Sequence, residues 1–211
     1  MGEEMTRGHA DRLRRETRQL HAEVERAGIM RPLLRGELGR PGYCGLLRNL
    51  HEIYCALEGA LRRHATKPDV APIVLPELFR TDALREDLAV LHGEHWPRLL
   101  PVPATRRYVA RLHEIEHGDA ALLVAHAYVR YLGDLSGGVI VRGIVAGSLG
   151  LGSGPGLRFY DFGGEHGARQ LAERLRRGID AACSAASIDA VVAEAQDAFR
   201  LHARLFEELA A

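Results

Sequence analysis

Apolar residues recur at intervals of three and four along nearly the whole chain, and no stretch alternates apolar with polar as a half-buried strand does. That period lays one apolar stripe along each helix, and helix-on-helix packing is the way to bury it. The expectation is an all-α, multi-helix single domain over residues 1–211, with its core at about 11–209. A chain of 211 residues is long enough for one sizeable core.

The segment "ADRLRRETRQLHAEVERAG" reads as one amphipathic helix that stops at Gly28. A longer helix runs from about Tyr43 to Ala65. Pro68, Pro72 and Pro76 then rule out helix and mark an ordered connector. "TDALREDLAVLHG" follows as a helix with Thr81 or Asp82 as its expected cap. Another helix begins after Pro103, and the next is expected to run unbroken from about Asp119 to Ser148. "GLGSGPGLRFYDFGG" reads as a loop, and two helices close the chain at roughly 165–182 and 187–210, the last capped by Ser187.

Charge narrows the function classes. Lys plus Arg is 28 and Asp plus Glu is 28, so nothing global attracts nucleic acid, and the few aromatics offer no base-stacking platform. The N-terminal stretch lacks the apolar centre of a signal peptide, and "GGVIVRGIVAGSLGLG" is too short, too glycine-rich and too interrupted by Arg142 for a membrane span. Cys44, Cys55 and Cys183 are odd in number and far apart, which fits neither a disulfide framework nor a CxxC site. Cys44 and Cys55 read as inert core residues. A cytoplasmic monomer is expected.

Residues 128–143, "YVRYLGDLSGGVIVRG", pose the sharpest question, because each interior helix glycine costs about 0.5–1 kcal/mol relative to Ala. Gly133 and Gly137 are four apart and share a face. Either a neighbouring helix nests there, or a flat ligand approaches the bare backbone. Asp134 in this apolar run must be paired, hydrated or exposed. Arg130, one turn earlier, is a possible partner, and a wet pocket beside a ligand is the other answer.

On the first helix Arg14, Arg18, His21 and Glu25 fall along one stripe. They form either a solvated face or a binding face. An imidazole ligates metals, a carboxylate orients its second nitrogen, and arginines grip carboxylates. A flat iron tetrapyrrole with two propionates would use all four. "HEIEH" at 113–117 matches the HExxH pattern of zinc hydrolases, with His113 and His117 as ligands and Glu114 as base, but no third ligand is fixed. "GLGSGPG" lacks the Lys-Ser/Thr of a phosphate loop.

The chain resembles heme oxygenase. "TRQLHAEVE" at 17–25 is similar to that family's proximal helix and "RYLGDLSGG" at 130–138 to its distal signature. "LHEIYCALE", "APIVLPELF", "RYVARLHEI" and "LFEEL" support the match in order, over about residues 11–209. The resemblance implies His21 as heme-iron ligand, accompanied by Glu25. It implies Gly133 and Gly137 against the distal heme face, and Asp134 holding a catalytic water network with Arg130 and Tyr54. Arg14, Arg18 and, on the penultimate helix, Arg176 fall where propionates are held, with Tyr128 nearby. Phe199 corresponds to an aromatic of the distal surroundings. Two features depart from the pattern: arginine stands at 14 and 18 where lysine is frequent, and His202 stands where the network can have asparagine.

The implied reaction takes heme, O₂ and reducing equivalents to biliverdin, ferrous iron and CO, with opening at the α-meso carbon. Heme is both cofactor and substrate. The implied electron donor is a ferredoxin or a flavoprotein reductase meeting a basic surface. A heme carrier or sensor on the same scaffold, and a zinc hydrolase built on "HEIEH", are the alternatives.

Overall fold

The structure is a computed structural model that describes residues 8–152 and 154–211; residues 1–7, and Ser153 within the expected glycine-rich loop, lie outside the described residues. Nine α-helices carry the described chain: α1 His9–Val24, α2 Met30–Leu34, α3 Arg40–Arg63, α4 Thr81–His92, α5 Pro103–His117, α6 Leu123–Ala127, α7 Gly133–Ser148, α8 Gly164–Ala182 and α9 Ile188–Glu208. No strand occurs among the described residues. Helix α3 is the centre of the bundle. Leu47, Ile53, Tyr54, Leu57 and Leu61 are fully enclosed on it, and α4, α5 and α6 pack around it. Helix α1 lies along α9, burying Ala10, Leu13 and Thr17 at the three-four spacing. The turn after α1 needs glycine. Gly28 has φ +40°, and a Cβ there would meet the Phe206 carbonyl oxygen at 1.9 Å.

Four expectations are corrected. The stretch 119–148 is not one unbroken helix. A 3₁₀ turn at Ala120–Leu122 precedes α6, and a π-helical turn at Tyr128–Leu132 joins α6 to α7. A π turn carries an extra residue per turn and so re-aims the side chains that follow. Neither Thr81 nor Asp82 caps α4. Arg80 is the cap residue, and the buried Glu58 carboxylate from α3 accepts from the backbone N–H of Arg80 (2.5 Å) and Thr81 (3.3 Å). Ser187 is the cap residue of α9, yet its Oγ accepts from Ser184 N (2.9 Å), not from the first turn of α9. Cys55 is exposed on the outer face of α3, with Sγ 3.6 Å from His51 Nε2, so only Cys44 of that pair is a core residue.

Pro72 and Pro76 of the connector sit in two single 3₁₀ turns, Ala71–Ile73 and Pro76–Leu78, and Pro68 lies in the turn before them. Helix α8 presses on the first of them at Gly178, where a Cβ would meet the Pro72 oxygen at 2.3 Å. Asp87 of α4 pins the loop before α8 by accepting from Arg158 N (2.9 Å) and Phe159 N (2.8 Å). That places Phe159 against Tyr54 and Tyr160 against Gly138. No helix among the described residues is long and apolar enough to cross a membrane.

Candidate active site

Two adjoining clefts, of about 240 and 390 Å³, open between α1 and α7. His21, Val129, Gly133 and Phe199 line both. The smaller also takes in Glu25, Arg130, Asp134, Gly137 and Tyr160, and the larger Arg14, Arg18, Tyr128 and Arg176. The stripe on α1 therefore runs along the clefts, and its four side chains are exposed there. Arg176 arrives from α8 on the same side as Arg14 and Arg18.

His21 is half exposed, and its Nδ1 lies 3.6 Å from Glu25 Oε1. That leaves Nε2 as the nitrogen unengaged by Glu25. Phe199 packs edge-on against the His21 ring, with centroids 5.8 Å apart. Phe199 was expected among the distal surroundings; it belongs instead to the wall that carries His21. A Cβ built on Gly133 or Gly137 meets nothing within 4 Å, so these glycines face open space and do not nest a neighbouring helix. Gly138 differs, because a Cβ there would come 3.1 Å from the Tyr160 ring.

Asp134 is buried and both of its oxygens are engaged. Oδ2 accepts from the Tyr54 hydroxyl, and Oδ1 accepts from Arg130 Nη2 at 3.1 Å. Arg130 also donates through Nε to the Tyr54 oxygen (3.2 Å) and through Nη1 to His202 Nε2. Burial pushes the Asp134 carboxyl above the usual carboxylate range, while Arg130, the Tyr54 hydrogen bond and Arg80 pull it back only in part. Burial opposes the charge on Arg130, yet Asp134, Tyr54 and Tyr108 outweigh it and hold the guanidinium firmly charged. A carboxyl with a raised pKa at a cavity wall is suited to holding a water and exchanging a proton.

At the basic end Thr17 Oγ1 donates to Leu13 O (2.7 Å) and lies 3.1 Å from the Tyr128 hydroxyl. The Thr17 proton is committed, so Tyr128 is the donor in that pair. Burial raises the Tyr128 phenol, and Thr17, Arg14 and Arg176 lower it, which ties both cations to this corner.

The "HEIEH" residues sit at the end of α5, away from both clefts. His117 Nδ1 donates to His113 O at 2.8 Å, and Glu114 pairs with Arg111 at 3.0 Å. His113 faces Glu116, which also pairs with Arg63. Among the described residues no three His, Cys, Asp or Glu side chains converge as metal ligands. Sequence reasoning assigned no role to Thr17 or Tyr160 of the cleft walls, and marked His202 only as a departure from the family's asparagine. The helical period shows Thr17 on the buried face of α1, but nothing local signals that Asp87 aims Tyr160.

The heme oxygenase family profile matches residues 7–208. Heme oxygenase 1 of Homo sapiens is 39% identical over 204 residues, spanning 95% of this chain and 71% of the human one. Heme oxygenase 2 of Synechocystis sp. is 37% identical over 205 residues, spanning 95% and 82%. The crystal structure of heme oxygenase-2 from Synechocystis sp. in complex with heme and NO matches with a TM-score of 0.91 at 36% identity, covering 96% of this chain and 85% of that one. The structure of heme oxygenase from Leptospira interrogans matches with a TM-score of 0.89 at 32% identity, covering 96% and 100%. In profile, in sequence and in fold, the chain belongs to the heme oxygenase family.

Proposed function

We propose that the chain is a heme-degrading oxygenase that uses O₂ and reducing equivalents to convert heme to biliverdin, ferrous iron and CO, with opening at the α-meso carbon. The observation that carries this reading is a cleft with one imidazole on its α1 wall and open backbone at Gly133 and Gly137 on its α7 wall. The residues present fit a heme. The glycines leave room for a flat ring, Val24, Val129 and Phe206 give it apolar contact, and Arg14, Arg18 and Arg176 stand at one end for two propionates. A relative solved with heme supports the same ligand.

The chemistry that heme supplies is activation of O₂ at its iron and a meso carbon that is oxidised. The protein's part is positioning and proton supply. His21 would hold the iron, and Glu25 would orient its ring through Nδ1. Asp134 would hold a water at the α7 wall of the cleft and pass a proton through it, while Arg130 and Tyr54 fix the carboxylate. The arginines and Tyr128 set the ring's orientation about its axis. The electron donor is a ferredoxin or a flavoprotein reductase that meets a basic face, and the protein acts as a cytoplasmic monomer.

His21→Ala tests the assignment. It should lose the histidine-ligated heme absorbance spectrum and nearly all biliverdin formation, with partial recovery in added imidazole. A wild-type spectrum and rate in H21A would remove His21 from the site.

A further inference from the structure

We propose that His202 is a positioning residue for this reaction: its Nε2 accepts from Arg130 and so aims the guanidinium at Asp134. The proposal rests on the heme-cleaving reading above.

Arg130 is held by three acceptors on three elements. Nε meets the Tyr54 oxygen of α3 at 3.2 Å, Nη2 meets Asp134 Oδ1 of α7 at 3.1 Å, and Nη1 meets His202 Nε2 of α9. A guanidinium has donors only and stays protonated in proteins. The His202 nitrogen facing it is therefore the unprotonated one, and the ring proton sits on Nδ1. His202 is buried at the wall of the smaller cleft, and its Nδ1 has no hydrogen-bond partner within the described protein. Tyr108 and Phe206 fix the ring edge-on, at centroid distances of 5.4 and 5.2 Å.

The groups packed around this imidazole favour its neutral form. Arg130 faces it from the π turn, Tyr108 from α5 and His126 from α6; burial, then Arg130, then His126 hold its pKa well below the ordinary histidine value. Glu194 is occupied by His126 (3.1 Å) and Arg111 (2.6 Å) and is not among the groups that shift His202. A protonated ring would set one cation against another and offer Arg130 no acceptor. Without an acceptor at 202, Nη1 is left unsatisfied and the guanidinium turns away from Asp134. The carboxyl then loses part of the charge that offsets its burial, and its pKa climbs further.

Two arms test this. Long-range ¹⁵N–¹H spectra of the full chain, with and without heme, report the tautomer directly. The expected ring is neutral and protonated at Nδ1 across about pH 6–9. The second arm compares H202N, whose amide oxygen restores an acceptor, with H202L, which removes it. H202N should keep kcat within about threefold and an unchanged pH profile. H202L should lose about tenfold or more in kcat with KM within about twofold, and the acid limb of kcat should move up by about one pH unit. Overall packing damage would not move that limb. An Nε2–H or doubly protonated ring overturns the proposal, as does a wild-type pH profile in H202L, or H202N as impaired as H202L. The tautomer is read on the wild-type chain, so a poorly folding H202L does not leave the matter open. Failure of the functional reading looks different: the wild type itself makes no biliverdin, whatever its tautomer, and the catalytic role of His202 falls with it.

Discussion

Arg130 Nη2 lies 3.1 Å from Asp134 Oδ1, one helical turn away, and both side chains are buried at the wall of the cleft. The carboxylate is thus paired and also in the pocket, where either alone would have explained its presence in an apolar helix. Its loss should separate binding from chemistry. Asp134→Ala should leave heme affinity within roughly tenfold, about 1.4 kcal/mol. Biliverdin formation should fall by the order of 10²-fold or more, as expected when a positioned proton transfer is lost. Asp134→Asn keeps the size, removes the charge and should also be impaired. Heme titration by absorbance and product chromatography measure both. Wild-type biliverdin yield from both variants would take Asp134 out of the mechanism.

Gly137 should show a trade between stability and function. A methyl there meets nothing in the protein and removes a helix-interior glycine. Gly137→Ala should stabilise the heme-free chain by about 0.5–1 kcal/mol, a rise of about 1–4 °C in Tm. The same methyl enters the space assigned to the ring, so heme affinity and turnover should drop. Calorimetry beside heme titration checks the pair of effects. A variant that is destabilised and binds heme normally would mean the glycine serves packing.

Glu194 should link stability to pH. Burial alone would raise its pKa, but hydrogen bonds from His126 and Arg111 outweigh that and hold it at about 2, below the ordinary 4.5. A depressed carboxyl stabilises the fold fully above the unfolded value and loses that contribution as pH falls through the folded one. Glu194→Gln should cost about 1–3 kcal/mol at neutral pH. The Tm gap between variant and wild type should persist down to about pH 4.5 and close towards pH 2. A gap that stays constant or widens on acidification would contradict this pairing.

Most long helices were legible because helical period is a local property. Arg14, Arg18, His21 and Glu25 share a stripe for the same reason, and the structure turns that stripe into a cleft wall. What escaped reading depends on partners far along the chain. Glu58 caps α4 from 22 residues away, and Asp87 fixes a loop from more than seventy. The π turn at Tyr128–Leu132 leaves no pattern in composition, and the five residues of α2 are too few for a period to emerge. Arg176 was placed through family resemblance alone, since nothing on its own helix points to α1. Phe199 was expected beside the wrong wall because the rotation of α9 against α1 is a tertiary property.

The central claim is that this cleft turns heme over and does not merely carry it. The direct measurement is aerobic incubation of the heme-loaded chain with a ferredoxin and its reductase, following absorbance and separating pigments by chromatography. The account predicts repeated loss of the heme spectrum on fresh addition of heme, with biliverdin opened at the α position, ferrous iron and CO as products. Heme bound through His21 and recovered unchanged after sustained reduction in air would contradict it and leave a carrier or sensor in its place.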